Sequence, residues 1–91
     1  MERKKIQMTD EEFDILDELY FVTTYMNLKE ATEFSDEQLK VNLINLAQKG
    51  WVRIYKSVDE ESEIDQLDFE KNFERYFYLA SKKGLFEHNS Q

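Results

Sequence analysis

The 91-residue chain contains no cysteine and no proline, only two glycines, one tryptophan and one histidine. Without cysteine, neither a disulfide framework nor a thiolate metal site can form. With His88 alone and no glycine-rich phosphate loop, the usual nucleophile–base pairs and metal-ligand sets cannot be assembled. No enzymatic activity, cofactor or small-molecule substrate is therefore expected. Long hydrophobic runs are missing as well. Runs such as Leu19-Tyr20-Phe21-Val22 are far too short to span a bilayer. The basic start Arg3-Lys4-Lys5 is not followed by the apolar stretch of a secretory signal, so a cytoplasmic chain without a membrane partner is expected.

What the chain does have is large apolar side chains and acid. Hydrophobic residues make up 41% and aromatics 14%, enough to form a core despite 35% charged residues. A single domain of this size buries roughly 60–70% of the surface its unfolded chain exposes. Net charge is −8, and its distribution is uneven. Residues 59–74 hold eight acids against Lys71, a net of −7, which leaves −1 for the remainder. Within that stretch Asp59, Glu61, Glu63, Asp65 and Glu70 mimic calcium-loop spacing, but Ile64 stands where the sharp turn needs glycine. A solvated acidic loop is the expectation, with no metal.

Helix signals are clear in the first half. Thr9 with Glu12 and Ser35 with Gln38 are capping-box pairs. After the first, Phe13, Leu16, Leu19, Tyr20 and Thr23 recur at helical spacing, and Ile15 and Val22 widen the apolar face beyond what one packing surface needs. A shorter helix is expected over residues 27–34. A third follows Ser35, with Leu39, Leu43, Leu46 and Ala47 inward and Gly50 as its stop. Alternation then predicts a strand from Trp51 to about Val58 and a return strand from Asn72 to Ala80, joined by the acidic connection. Residues 1–8 read as an arm, 9–86 as the domain, and 87–91 as a tail carrying His88.

The order helix, short helix, capped helix, Gly-Trp-Val strand, loop, Tyr-rich strand resembles the winged helix-turn-helix, an α+β fold. "SDEQLKVNLINLAQKGWVRIY" looks like its third helix and first wing strand, and "RYFYLASKKGL" resembles the second wing strand and closing turn of MarR-like transcriptional regulators. That resemblance implies a dimer that places the third helix in the major groove of duplex DNA and the wing on the backbone. By position it points to Lys40, Asn42, Asn45, Lys49 and Arg53 as nucleic-acid contacts, with Val41, Ile44, Gln48 and Lys56 nearby. The wing departs from the pattern, being acidic where phosphate-binding wings carry Lys or Arg. The alternative is a protein-interaction module, a homodimer or a binder of a basic partner surface. It would use Ile15, Val22, Val41 and Ile44.

Overall fold

A computed structural model describes residues 8–90. Five helices and four strands follow the chain in the order α1 (Asp10–Asp17), β1 (Thr23–Thr24), α2 (Tyr25–Thr32), α3 (Asp36–Gln48), β2 (Val52–Ser57), β3 (Glu60–Ser62), α4 (Phe69–Asn72), β4 (Phe77–Ala80) and α5 (Lys82–Asn89). The strands form one antiparallel sheet in the order β1-β4-β2-β3, and the fold is α+β. Apart from Met8, which packs against the core, the expected N-terminal arm lies outside the described residues.

Both capping boxes form. The Glu12 amide donates to the Thr9 hydroxyl at 3.1 Å while Thr9 N–H donates to the Glu12 carboxylate at 3.0 Å. Ser35 and Gln38 repeat the exchange at 3.1 and 2.9 Å. Each pair satisfies two amides that a helix start leaves unbonded. Gly50 ends α3 at φ 77°, a left-handed value that suits glycine. Inward-facing Leu39, Leu43 and Leu46 are fully buried, as their spacing predicts, and meet Ile15, Leu16, Leu19, Leu28, Trp51, Ile54 and Tyr78 in a single core.

The structure departs from the sequence reading in three places. First, α1 stops at Asp17 instead of running on to Thr23. β-Branched Val22-Thr23-Thr24 favours extended backbone, and the Leu19 carbonyl is taken by Ala80 N–H at 2.8 Å. The Thr23 hydroxyl then donates to the carbonyls of Phe21 and Glu18, fixing the turn.

Second, the acidic connection is folded. β2 and β3 make a tight hairpin in which the register slips past Lys56, and helical turns occupy Ile64–Gln66, α4 and Phe73–Arg75. Half-buried Ile64, Leu67 and Phe73 and buried Phe69 anchor this segment to the core. Phe69 lies within ring contact of Phe73, Tyr76 and Tyr78, and Tyr25 packs edge-on to Phe73 at 5.3 Å. The return strand therefore begins only at Phe77.

Third, the chain past residue 86 is helix rather than tail. Ser81 caps α5 and donates to the Gly50 carbonyl at 2.6 Å. Gly84 lies so close to the Trp51 carbonyl that a Cβ there would collide with it. His88 is 7% exposed, stacked on Phe13 at 4.2 Å, with Tyr20 Oη 2.8 Å from its Nδ1. No helix among the described residues is long and apolar enough to cross a membrane.

Candidate functional site

Five candidate nucleic-acid contacts lie on the α3 face or beside it. Asn42 is buried at 8% exposure, and its amide nitrogen donates to Glu11 at 2.7 Å and to the Gln38 carbonyl at 2.8 Å. Both of its donors are spent inside the molecule, where Asn42 joins α3 to α1. Lys49 is also turned inward. Its ammonium donates to both oxygens of buried Glu12, at 2.8 and 3.0 Å, and sits 4.7 Å above the Trp51 ring. A carboxylate that is 2% exposed requires such a partner, because an unpaired buried charge is strongly destabilising.

Lys40 and Arg53 remain near the surface, but acids meet them there. Lys40 lies 3.3 Å from Glu37 and 3.2 Å from Glu70, and these partners hold its ammonium above the ordinary lysine pKa, Glu70 most strongly. Arg53 pairs with Glu61 at 3.7 Å. Glu61 and Glu70 both belong to the acidic segment. That segment thus lies against α3 and pairs with two of the cations the resemblance points to, Lys40 and Arg53, while Lys56 stands exposed on β2. Asn45 and Gln48 alone stand exposed on this helix as polar candidates.

A cleft of about 330 Å³ lies between the end of α3 and the start of α5. Arg53, Lys82 and Lys83 line it, together with Glu61 and Glu63. Among the described residues no group of three or more His, Asp or Glu side chains is arranged to hold a metal ion.

The four residues assigned to a protein interface fare differently from one another. Ile15 is fully buried and cannot belong to a surface; the extra width of the α1 stripe serves the core. Ile44 is half-buried against the core. Val41 and Val22 are exposed at 44% and 41%.

Sequence reasoning missed three of the four most exposed large apolar residues among those described, Phe21 at 82%, Phe86 at 69% and Met26 at 60%. Periodicity placed Phe21 on a continuing helix, and Met26 lay between two expected helices. The one available signal was the Val22-Thr23-Thr24 run, which ends the helix and leaves its flanks on a turn. Four of the seven large apolar side chains exposed among the described residues fall within residues 20–26.

Two tyrosines clamp the acidic segment and the α2–α3 junction. The buried Tyr78 hydroxyl donates to the Phe73 carbonyl at 2.6 Å, and Tyr25 donates to Asp36 at 2.6 Å. Burial pushes both phenols far above the ordinary tyrosine pKa, and Asp36 adds to the effect on Tyr25. Asp36 in turn is held below the usual carboxylate range by hydrogen bonds from Lys29 and Tyr25. No family model, curated protein or solved structure matches the chain.

Proposed function

We propose that the chain is a winged-helix domain whose task is to bind another protein rather than duplex DNA. Support for the fold comes from element order: helix, short strand, two helices, then a hairpin whose returning strand β4 pairs with both β1 and β2. Support for the task comes from one observation. The segment that would be the wing lies against α3 and pairs Glu70 with Lys40 and Glu61 with Arg53. A groove-reading helix needs free Arg, Lys, Asn or Gln toward the bases and cations toward the phosphates. Here Asn42 and Lys49 are structural, and Lys40 and Arg53 are already matched by acids, leaving Lys56 exposed on β2.

Duplex DNA is the competing reading, and the lysines at the start of α5 favour it. Lys82 and Lys83 share the cleft with Arg53, although Glu61 and Glu63 line that cleft too.

Anisotropy of a labelled random-sequence duplex, titrated at about 50 mM and about 200 mM salt, decides between them, since non-specific binding is electrostatic and strongest at low salt. The wild-type chain is expected not to bind at either salt. Glu61→Gln with Glu70→Gln, which frees Arg53 and Lys40, is expected to gain weak, salt-sensitive binding. Salt-sensitive micromolar binding by the wild type would sink the proposal.

A further inference from the structure

Alternation divides the two central strands between two faces. Val52, Ile54, Tyr78 and Ala80 turn into the core, which leaves Arg53, Tyr55, Phe77 and Leu79 on the opposite face of the sheet. Register makes that face continuous. Leu79 stands opposite Arg53, and Phe77 stands opposite Tyr55, which in turn stands opposite Glu61 of β3. Tyr55, Phe77 and Leu79 are half-buried, so three large apolar side chains keep part of their surface in water there.

Arg53 and Glu61 also line the cleft of about 330 Å³, which therefore joins this apolar band at the end where β2 begins. β2 runs between β3 and β4. On the β3 side the cleft is walled by Glu61 and Glu63. On the other side, where β4 runs into α5, it is walled by Lys82 and Lys83. All four side chains are exposed. Glu61 has Arg53 at 3.7 Å, whereas Lys82 and Lys83 have no acid partner among the described residues. The face thus carries an apolar middle and two walls of opposite sign.

We infer that this face pairs with the same face of a second copy of the chain. The two-fold axis runs along the strands, over the seam between β2 and β4. It lays β4 of each copy across β2 of the other, with the sheets face to face. Phe77 then rests against Tyr55, and Leu79 against the stem of Arg53, each from the other copy. The same axis exchanges the two sides of the sheet, so the Lys82–Lys83 wall of each copy meets the Glu61–Glu63 wall of the other. An apolar centre inside a charged rim is the usual anatomy of a protein interface. The order of the charges selects the occupant. A partner of one sign, including a nucleic acid or an anionic lipid surface, meets one wall of its own sign and is repelled there. The chain under a two-fold axis matches both walls at once. The inference rests on the protein-binding reading and names the partner and its seat.

Sedimentation velocity of the full chain over a range of concentrations tests it. Salt of about 0.15 M screens the long-range repulsion between two chains of net charge −8. The wild type is expected to pass from monomer to dimer as concentration rises. Reversing either wall, by Lys82→Glu with Lys83→Glu or by Glu61→Lys with Glu63→Lys, should weaken the dimer by about tenfold or more. Mixing the two reversed chains in equal amounts should restore it, because every wall then meets one of opposite sign. Leu79→Ser should weaken the dimer with both walls intact. A wild type that stays monomeric at every concentration would overturn the pairing, as would a dimer indifferent to both reversals or to Leu79→Ser. Reversed chains that keep the wild-type circular dichroism yet fail to pair on mixing would overturn it too. Binding of the random-sequence duplex would instead sink the functional reading, so the two failures are distinguishable.

Discussion

The α3 face and the 20–26 turn invert what their residue types suggest. On α3, three of the side chains with recognition chemistry are engaged within the molecule, Asn42 with Glu11, Lys49 with Glu12 and Lys40 with Glu37 and Glu70, while Asn45 and Gln48 stay exposed. On the turn, residues of the kind that fill cores point outward, led by Phe21. The difference teaches that a polar group is available for function only if no internal partner claims it. Lys49 and Asn42 are claimed because α1 brings Glu11 and Glu12 beneath α3. Phe21 and Met26 are left over because the chain turns away to pair β1 with β4.

The largest break in this comparison should come from alkali. Tyr25 and Tyr78 help hold the acidic segment and α2 in place, and their phenols are shifted upward. A group whose folded pKa is raised contributes stability that is fully present below its unfolded value, about 10 for tyrosine, and is lost as pH rises beyond it. Tm should therefore fall steeply above about pH 10. Tyrosinate absorbance should show two of the five tyrosines ionising only with unfolding. All five ionising together in the folded chain would contradict the clamp.

Lys49→Met comes next. It keeps the stem over Trp51 but leaves the Glu12 carboxylate buried with only Thr9 N–H as donor, and should cost about 2 kcal/mol in urea unfolding. Any binding lost in that variant must be read against its stability, because Lys49 supports the fold. Asn42→Ala removes two hydrogen bonds at the α1–α3 contact and should cost about 1 kcal/mol. Stability unchanged in either variant would return the residue to the list of surface contacts.

At the other end of the scale, Phe21→Ser with Met26→Ser should change unfolding free energy by no more than about 0.5 kcal/mol, as exposed substitutions do. A large loss there would mean the two side chains pack in solution, and the contrast between the faces would collapse.

Local signals were legible in the sequence; distant ones were not. Capping boxes, the Leu39–Leu43–Leu46 stripe and the stop at Gly50 depend on neighbours within a turn or two, and each appears where its spacing predicts. The end of α1 depends on Ala80 reaching back to Leu19, and no periodicity over residues 13–23 contains that bond. Residues 64–73 looked like solvated acid because eight carboxylates obscure the four anchors Ile64, Leu67, Phe69 and Phe73 in the stretch 59–74. His88 was assigned to a tail because its partners Phe13, Asp17 and Tyr20 are about seventy positions away, as its 68-residue separation from Tyr20 illustrates. The α3 candidates were chosen by chemistry and position, and burial alone removed Asn42 and Ile15 from the surface.

The sheet ends on one side in a two-residue strand and on the other in a three-residue strand that begins Glu60-Glu61, beside a slip in register at Lys56. Neither edge offers a long, flat, uncharged row of free amides and carbonyls, which is the template that recruits further strands and starts fibres. A molecule that displays phenylalanine so openly is thereby kept from solidifying through its backbone. Its stickiness is confined to side chains, where contacts form and release without consuming the fold. On the β3 side that safeguard includes carboxylates, so it weakens there as pH approaches the isoelectric point near 4.6, where the chain also loses its net repulsion.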